Sequence, residues 1–427
     1  MSKSYTVQPG DTLSKIGVKT LGDSLRWPDI VKANPQLSSR KTATDGSPII
    51  FVGDVLIIPG KTDEIKTEGG KAESVVLDKN APQDLGLKGN GKFFTGFTGY
   101  TLVRSVNGID GFSFSSEWNA ESPVLREIFR PFAYPVFDVY FNNDLVFKGI
   151  IMPPSPKISP SAETITVQGY PVCGVLVDSC LPPSLFPAEY SGLDLKTIAE
   201  TVCEPFGITV TVKGDVGAAF EKVDCELEDK VWEFLSKLAE QRGMYLTNTP
   251  DGNLLIYKPE NEAVSATFKQ GDAPFISCVP EFDGQKMYSH ITGYTKTSSE
   301  NDSQTYTYEN NLLIKRGVLR CYGKAIDDAE EGTIEDSVKA LAGKMFADCV
   351  KYKLSVSGHR DKNGKLYREN MAVSVLAPGA EIYKETKFLA DNVTLKRDDQ
   401  GGETTEFLLV LPGSRDGKLP EAYPWEE

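Results

Sequence analysis

A chain of 427 residues is long enough for about three domains at roughly 150 residues each. Its 40% hydrophobic and 25% charged residues exclude a mainly disordered chain, and no apolar run is long enough for a membrane-spanning helix. The net charge of -14, from 60 acidic against 46 basic residues, argues against wrapping nucleic acid or lying on an anionic membrane.

The opening MSKSYTVQPG has no apolar core, so Sec export is not expected. Seven cysteines (Cys173, Cys180, Cys203, Cys225, Cys278, Cys321 and Cys349), an odd number with no C-x-x-C pair, predict buried free thiols in a chain made in a reducing cytosol. The two histidines, His290 and His359, fall in no metal-binding pattern, and neither a metal nor a cofactor is expected. His359, next to Arg360-Asp361 and the Asn363-Gly364 turn, reads as a solvated histidine, with no G-x-S-x-G elbow to make it a catalytic base.

In chain order, Tyr5 and Val7 alternate with polar neighbours as in a strand, Pro9-Gly10-Asp11 makes a turn, and Thr12 caps a helix carrying Leu13 and Ile16. A second helix starts at Trp27-Pro28 and stops at Asn34-Pro35, and Val55–Ile58 is a closing strand. The blocks Y-x-V-x-x-G-D-T-L (5–13), W-x-x-I-x-x-A-N (27–34) and G-D-x-L-x-I-P (53–59) resemble the LysM module. The resemblance implies a βααβ unit over residues 1–60, used for peptidoglycan binding or for docking to other proteins. Its glycan groove would be lined by Gly10, Asp11, Thr12 and Leu13 on one side and by Phe51, Val52 and Gly53 on the other. A polar insertion, Ser38 to Ser47, precedes the closing strand.

Residues 61–75 read as a flexible linker. From 76 to 190 the texture is β, with strands expected over Gly91 to Val106, at Phe112 to Ser115, and in a hairpin formed by Val136–Phe141 and Leu145–Phe147 around Asn142-Asn143-Asp144. Residues 191–260 form a small α+β domain: Leu195, Ile198, Ala199 and Val202 mark one helix, Phe206–Val212 a strand, Val231, Phe234, Leu235 and Leu238 a second helix, and Leu254–Tyr257 another strand. Residues 261–413 return to β at Ser289–Lys296, Leu366–Val375, Phe388–Leu395 and Thr404–Leu411, interrupted by a helix with Ile334, Val338, Leu341, Met345 and Cys349 on its apolar stripe. Residues 414–427 are expected to be a partly disordered tail. Tyr100, Trp118 and Tyr134 are read as core residues or interface anchors.

The predicted fold is therefore mainly β with an α+β insertion: a LysM module, then two antiparallel β-barrel-like domains flanking the α+β domain. The runs V-F-D-V-Y-F-N-N-D-L-V-F-K-G-I (136–150), T-I-T-V-Q-G-Y (164–170), I-A-E-T-V-C-E-P-F-G-I-T-V (198–210), L-A-E-Q-R-G (238–243) and D-G-N-L-L-I (251–256) are similar to those of baseplate hub proteins of Mu-like contractile phage tails, over residues 75–413. That resemblance implies that the two β domains are related copies, in a homotrimer that joins a six-fold tail tube to a three-fold spike. Wedge proteins surround it, genomic DNA passes its lumen without specific binding, and it sits in the virion tail baseplate after assembly in the host cytoplasm. No catalytic residues are implied. The alternatives are the hub of a contractile injection system or bacteriocin, or a LysM-targeted cell-wall hydrolase. Glu226, Glu228 and Asp229 would be the hydrolase's carboxylates, although acids before a helix also stabilise its dipole.

Overall fold

The computed structural model describes residues 3–8, 10–21, 27–34, 37, 40, 47–58, 73–77, 84–142, 144–259, 262–295, 304–326, 334–398, 402–413 and 423–426. Most of the linker reading (61–72) and most of the tail reading (414–422) lie outside these residues.

The chain divides into two compact units, the first built on residues 1–74. In it Lys3–Thr6 pairs antiparallel with Val55–Ile58, and the helices Leu13–Leu21 and Trp27–Ala33 close over Val7, Leu13, Ile16, Ile30, Leu56 and Ile58. Thr12 caps the first helix, its Oγ1 accepting from Lys15 N at 3.2 Å. Asn34 is fully buried, donating to Ile30 O and Ile57 O (both 2.7 Å) and accepting from Ile57 N (2.8 Å). One amide side chain thereby ties the end of the second helix to the closing strand.

The second unit is mainly β, and most of its strands join one 15-stranded sheet. The path runs Phe275–Phe282, Val350–Ser357, Gly402–Val410, Ile382–Asp398, Gly99–Ser105, Gly111–Glu117, Glu163–Pro171, Asp144–Ile151, Val136–Phe141 and Leu85–Gly89. The two β regions read from the sequence are thus joined edge to edge: Gly99–Ser105 pairs antiparallel with the long strand Ile382–Asp398, from Tyr100↔Arg397 to Ser105↔Asn392. This pairing gives two strand edges the partners they would otherwise lack. One core runs beneath both regions, from Leu85, Phe94 and Phe137 to Tyr352, Phe388 and Phe407.

Between the two regions, Val210–Lys213 pairs parallel with Leu254–Tyr257, and Tyr245–Asn248 completes a three-stranded sheet. The helices Leu195–Cys203 and Val231–Gln241 present the apolar faces read from their spacing: Leu195, Ile198, Ala199 and Val202 are buried, as are Val231, Phe234, Leu235 and Leu238. The turn after Gly99–Ser105 anchors this part, with Gly108 N donating to Leu246 O (2.8 Å), Leu246 N to Asn107 Oδ1 (3.1 Å) and Tyr257 Oη to Val106 O (2.9 Å).

Several sequence expectations need correction. Residues 73–75, read as the end of the linker, belong to the strand Glu73–Val76. Phe206–Val212 is not one strand: Glu204–Phe206 is a 3-10 turn, Gly207 takes a φ of 69°, and the strand starts at Val210. Gly91 to Val106 is two strands, Lys92–Thr95 and Gly99–Ser105. Leu366–Val375 yields a strand only at Ala372–Ala377. The tail returns to the core, where Tyr423 and Trp425 stack at 4.9 Å, Phe282 meets Trp425, and Tyr383 N donates to Pro424 O at 3.1 Å. Cys173, Cys203, Cys225 and Cys349 are buried, but Cys321 is exposed.

Candidate functional site

The residues assigned to a glycan groove lie on two turns of the same construction. In Gln8-Pro9-Gly10-Asp11, Asp11 N donates to Gln8 O (3.1 Å) and the Asp11 carboxylate accepts from Gln8 N (2.8 Å). In Phe51-Val52-Gly53-Asp54, Asp54 N donates to Phe51 O (3.0 Å) and the Asp54 carboxylate accepts from Phe51 N (2.8 Å). The third residue of each turn is a glycine at positive φ, 84° at Gly10 and 91° at Gly53. A Cβ on either glycine would meet nothing within 4 Å, so the backbone angle, not space, calls for glycine there. Val7 N donates to Asp54 O (2.9 Å) and Gly53 N to Val7 O (3.0 Å), which holds the two turns side by side.

Each aspartate is also held by one cation. Lys19, from the first helix, reaches Asp11 Oδ1 at 2.9 Å, and Tyr5 donates its hydroxyl to Asp11 Oδ2 at 2.7 Å. Partial burial pushes the Asp11 pKa up, but Gln8 N, Lys19 and Tyr5 outweigh it and bring the carboxyl down to about 2. Arg40 grips Asp54 with both ends of its guanidinium, Nη1 to Oδ2 at 2.5 Å and Nη2 to Oδ1 at 3.1 Å, and this bond holds the Asp54 carboxyl below its ordinary range. The guanidinium also lies 5.3 Å from the Phe51 ring centroid.

The seven groove residues of the sequence reading therefore separate. Leu13 is a core residue, Thr12 is a helix cap, and Asp11 is taken up inside its own turn. Gly10 and Gly53 are exposed, and Phe51 and Val52 stand 62% and 64% exposed. Sequence reasoning missed Arg40, whose stretch 38–47 looked merely polar. The signal was available in the repeated Gly-Asp, which asks for a counter-charge twice.

A second constellation lies at the seam of the large sheet. His359 is 3% exposed, not solvated: its Nε2 is 2.9 Å from Tyr100 Oη and its Nδ1 2.9 Å from Thr405 Oγ1. Phe141 meets its ring edge-on at 5.3 Å. Burial pushes the His359 pKa down to about 4; Asp84 nearby favours the charged form, while Arg360 and Arg397 oppose it. Asp84 Oδ2 lies 3.3 Å from Tyr100 Oη, and Glu403, raised by burial and then by Asp84, ends 3.6 Å from Arg397.

A third cluster joins three parts of the second unit. Arg104 Nε lies 2.8 Å from Glu369 and 4.0 Å from Asp110. Asp110 also accepts from Ser105 N (3.0 Å) and Asn248 Nδ2 (3.2 Å). Burial, then the charge of Glu369, raises the Asp110 carboxyl to about 7.

The hydrolase carboxylates form no comparable site. Glu226 and Glu228 are exposed, and Asp229 Oδ2 accepts from Glu226 N (3.2 Å) ahead of the helix Val231–Gln241, where their charge meets the helix dipole. Tyr100 is a core residue, Trp118 packs partly buried against the core, and Tyr134 is exposed beside Phe132.

Residues 5–59 match the model of the LysM domain family, and residues 173–258 match the family described as baseplate hub protein gp44-like, second domain. Two separate parts of the chain are thus similar to a LysM domain and to a domain of phage baseplate hub proteins. The chain is 22% identical to baseplate hub protein gp44 of Escherichia phage Mu over 334 residues, 76% of this chain and 86% of that protein. Its fold is that of the 43 kDa tail protein of prophage MuSo2 from Shewanella oneidensis (TM-score 0.64, 23% identity, 78% of this chain and 99% of the other). It is likewise that of the tail protein from Neisseria meningitidis MC58 (TM-score 0.66, 18% identity, 79% and 99%).

Proposed function

We propose that the chain assembles as a homotrimeric ring in the baseplate of a contractile phage tail, between the tail tube and the spike, with wedge proteins outside and the genome passing through the lumen. Its role in this reading is mechanical, with no catalytic step. The observation that carries it is the uninterrupted sheet across the Tyr100–Ser105 and Asn392–Arg397 seam, on a chain similar to gp44 along 76% of its length. A sheet continuous through both β regions transmits load along hydrogen-bonded strands and leaves the chain's surface for contact with sister chains. The net charge of -14 is compatible with a lumen that does not grip phosphate.

In the same reading the LysM domain holds peptidoglycan through the lip formed by Gly10, Phe51, Val52 and Gly53. Mass measurement and electron microscopy of the full-length protein, alone and mixed with its spike, test the hub role. A three-fold ring is expected, and a species that stays monomeric under both conditions would exclude it. Pull-down on insoluble peptidoglycan tests the second role, with loss of binding expected in a chain that starts at Gly60.

A further inference from the structure

The polar stretch ahead of the closing strand bears on the groove through Arg40. The two lips are the same four-residue turn, and in each the aspartate is fixed on three sides: its own backbone N–H, the N–H three residues earlier, and a cation from elsewhere in the fold. For the first lip the cation is Lys19, on a helix already anchored by Leu13 and Ile16. For the second it is Arg40, which also donates to Ile49 O at 3.3 Å and lies against Phe51. Phe51 and Val52 are exposed apolar side chains at a turn, a placement in which little packing restrains them. What sets their direction is the turn, and what sets the turn is Asp54 held in Arg40's fork.

We propose that Arg40 is a positioning residue for ligand binding in the LysM groove: through its two-pronged bond to Asp54 it fixes the Phe51-Val52-Gly53 lip in the conformation that receives a glycan chain. This rests on the glycan-binding reading given above. Three of Arg40's five N–H groups, both on Nη1 and one on Nη2, are taken by Asp54 and Ile49, so its main engagement is with the turn. The planar fork matters more than the charge, so a lysine in its place restores attraction to Asp54 but not the two-point hold.

The test uses the full-length protein with a soluble N-acetylglucosamine pentamer and with insoluble peptidoglycan as probes. Wild type is compared with Arg40→Ala, Arg40→Lys and Asp54→Asn. Arg40→Ala is expected to weaken binding about tenfold, with Arg40→Lys recovering only part of the loss. Over the same series the Phe51 amide should exchange with solvent about tenfold faster, while the amides of Leu56 and Ile58 in the closing strand keep their protection. Wild-type affinity in Arg40→Ala would overturn the proposal, as would full recovery by Arg40→Lys. If wild type binds neither probe, the glycan reading fails and the proposal falls with it as a statement about ligand. The Phe51 exchange rates then report separately whether Arg40 holds the lip.

Discussion

Tyr100 and His359 are 259 residues apart in sequence and 2.9 Å apart, Oη to Nε2, at the seam where the two β regions share one sheet. Thr405 Oγ1 donates its single proton to Gly358 O at 2.7 Å, so toward His359 Nδ1 it can only accept. The neutral ring then carries its proton on Nδ1 and accepts at Nε2, so the one Tyr100 proton goes to Nε2 at 2.9 Å and not to Asp84 Oδ2 at 3.3 Å. A neutral imidazole satisfied on both nitrogens can be buried at little cost; a protonated one cannot.

This sets a pH dependence of stability. The folded His359 protonates only near pH 4, whereas in the unfolded chain it does so at its ordinary value near 6.5. Between the two the unfolded chain binds a proton that the folded chain refuses. The stability from this group is complete above that ordinary value and is lost as pH falls toward the folded one, by about 3 kcal/mol in total. In denaturant unfolding at a series of pH values, wild type should lose more stability than His359→Gln as pH falls; Asp110, raised by burial, takes up a proton in the folded state over the same range and acts in the opposite direction in both proteins, so the difference between them isolates His359. An undiminished slope in the variant would assign the decline to other groups.

Tyr100→Phe should cost about 1–3 kcal/mol at pH 8, because it leaves Nε2 as a buried acceptor without its donor. Tyr134→Phe, at an exposed hydroxyl, should stay within about 0.5 kcal/mol of wild type. Equal effects at the two positions would mean that the Tyr100 bond contributes nothing to the seam.

The Arg104 cluster makes a different prediction. Glu369→Gln removes a negative charge that raises Asp110 and frees Arg104, 4.0 Å away, to serve Asp110 alone. The Asp110 carboxyl should then titrate lower than in wild type while burial keeps it above the ordinary carboxylate range, as followed by carbon-detected NMR of the labelled side chain. Stability should fall by about 1–3 kcal/mol as the Arg104–Glu369 contact weakens.

What the sequence displayed and what it hid follow from the range of the interactions. The helices Leu195–Cys203, Val231–Gln241 and Ile334–Cys349 were legible because a helix advertises its buried face within a dozen residues. Val350–Ser357 was missed even though Val350, Tyr352, Leu354 and Val356 are buried in strict alternation, because it follows the helix with no turn residues between them to mark a change of period. The edge strand Phe275–Phe282 was hidden by Pro280 and by a bulge near its start, both features that blunt an open edge. His359 misled because His-Arg-Asp-Lys-Asn-Gly has the local look of an exposed turn, while the residues that bury it, Tyr100, Phe141 and Thr405, arrive from three distant strands. The two Gly-Asp turns were legible through Gly10 and Gly53, and the side chains around them were not, because neither Leu13's burial nor Arg40's reach is written locally.

Gly252 shows how narrowly the α+β part is fitted to the large sheet. The turn before Leu254–Tyr257 lies against the strand Asp144–Ile151: Lys148 N donates to Pro250 O at 2.8 Å, and Cys173 N to Gly252 O at 2.7 Å. Gly252 has a φ of 78°, and a Cβ there would sit 2.2 Å from Lys148 O and 3.0 Å from Val172 N, both backbone atoms that cannot swing aside. Gly252→Ala must therefore either adopt a left-handed angle at a cost of about 1–2 kcal/mol and still clash, or lift the turn off the strand and break both hydrogen bonds. The expected result is faster hydrogen exchange across 245–257 and new protease cleavage near 250, with the seam at Tyr100 and His359 unaffected. Gly271→Ala, at a φ of 93° but with nothing within 4 Å of its Cβ, carries the angular strain alone. If the two variants prove equally stable, the close approach to Lys148 does not hold the α+β part in place.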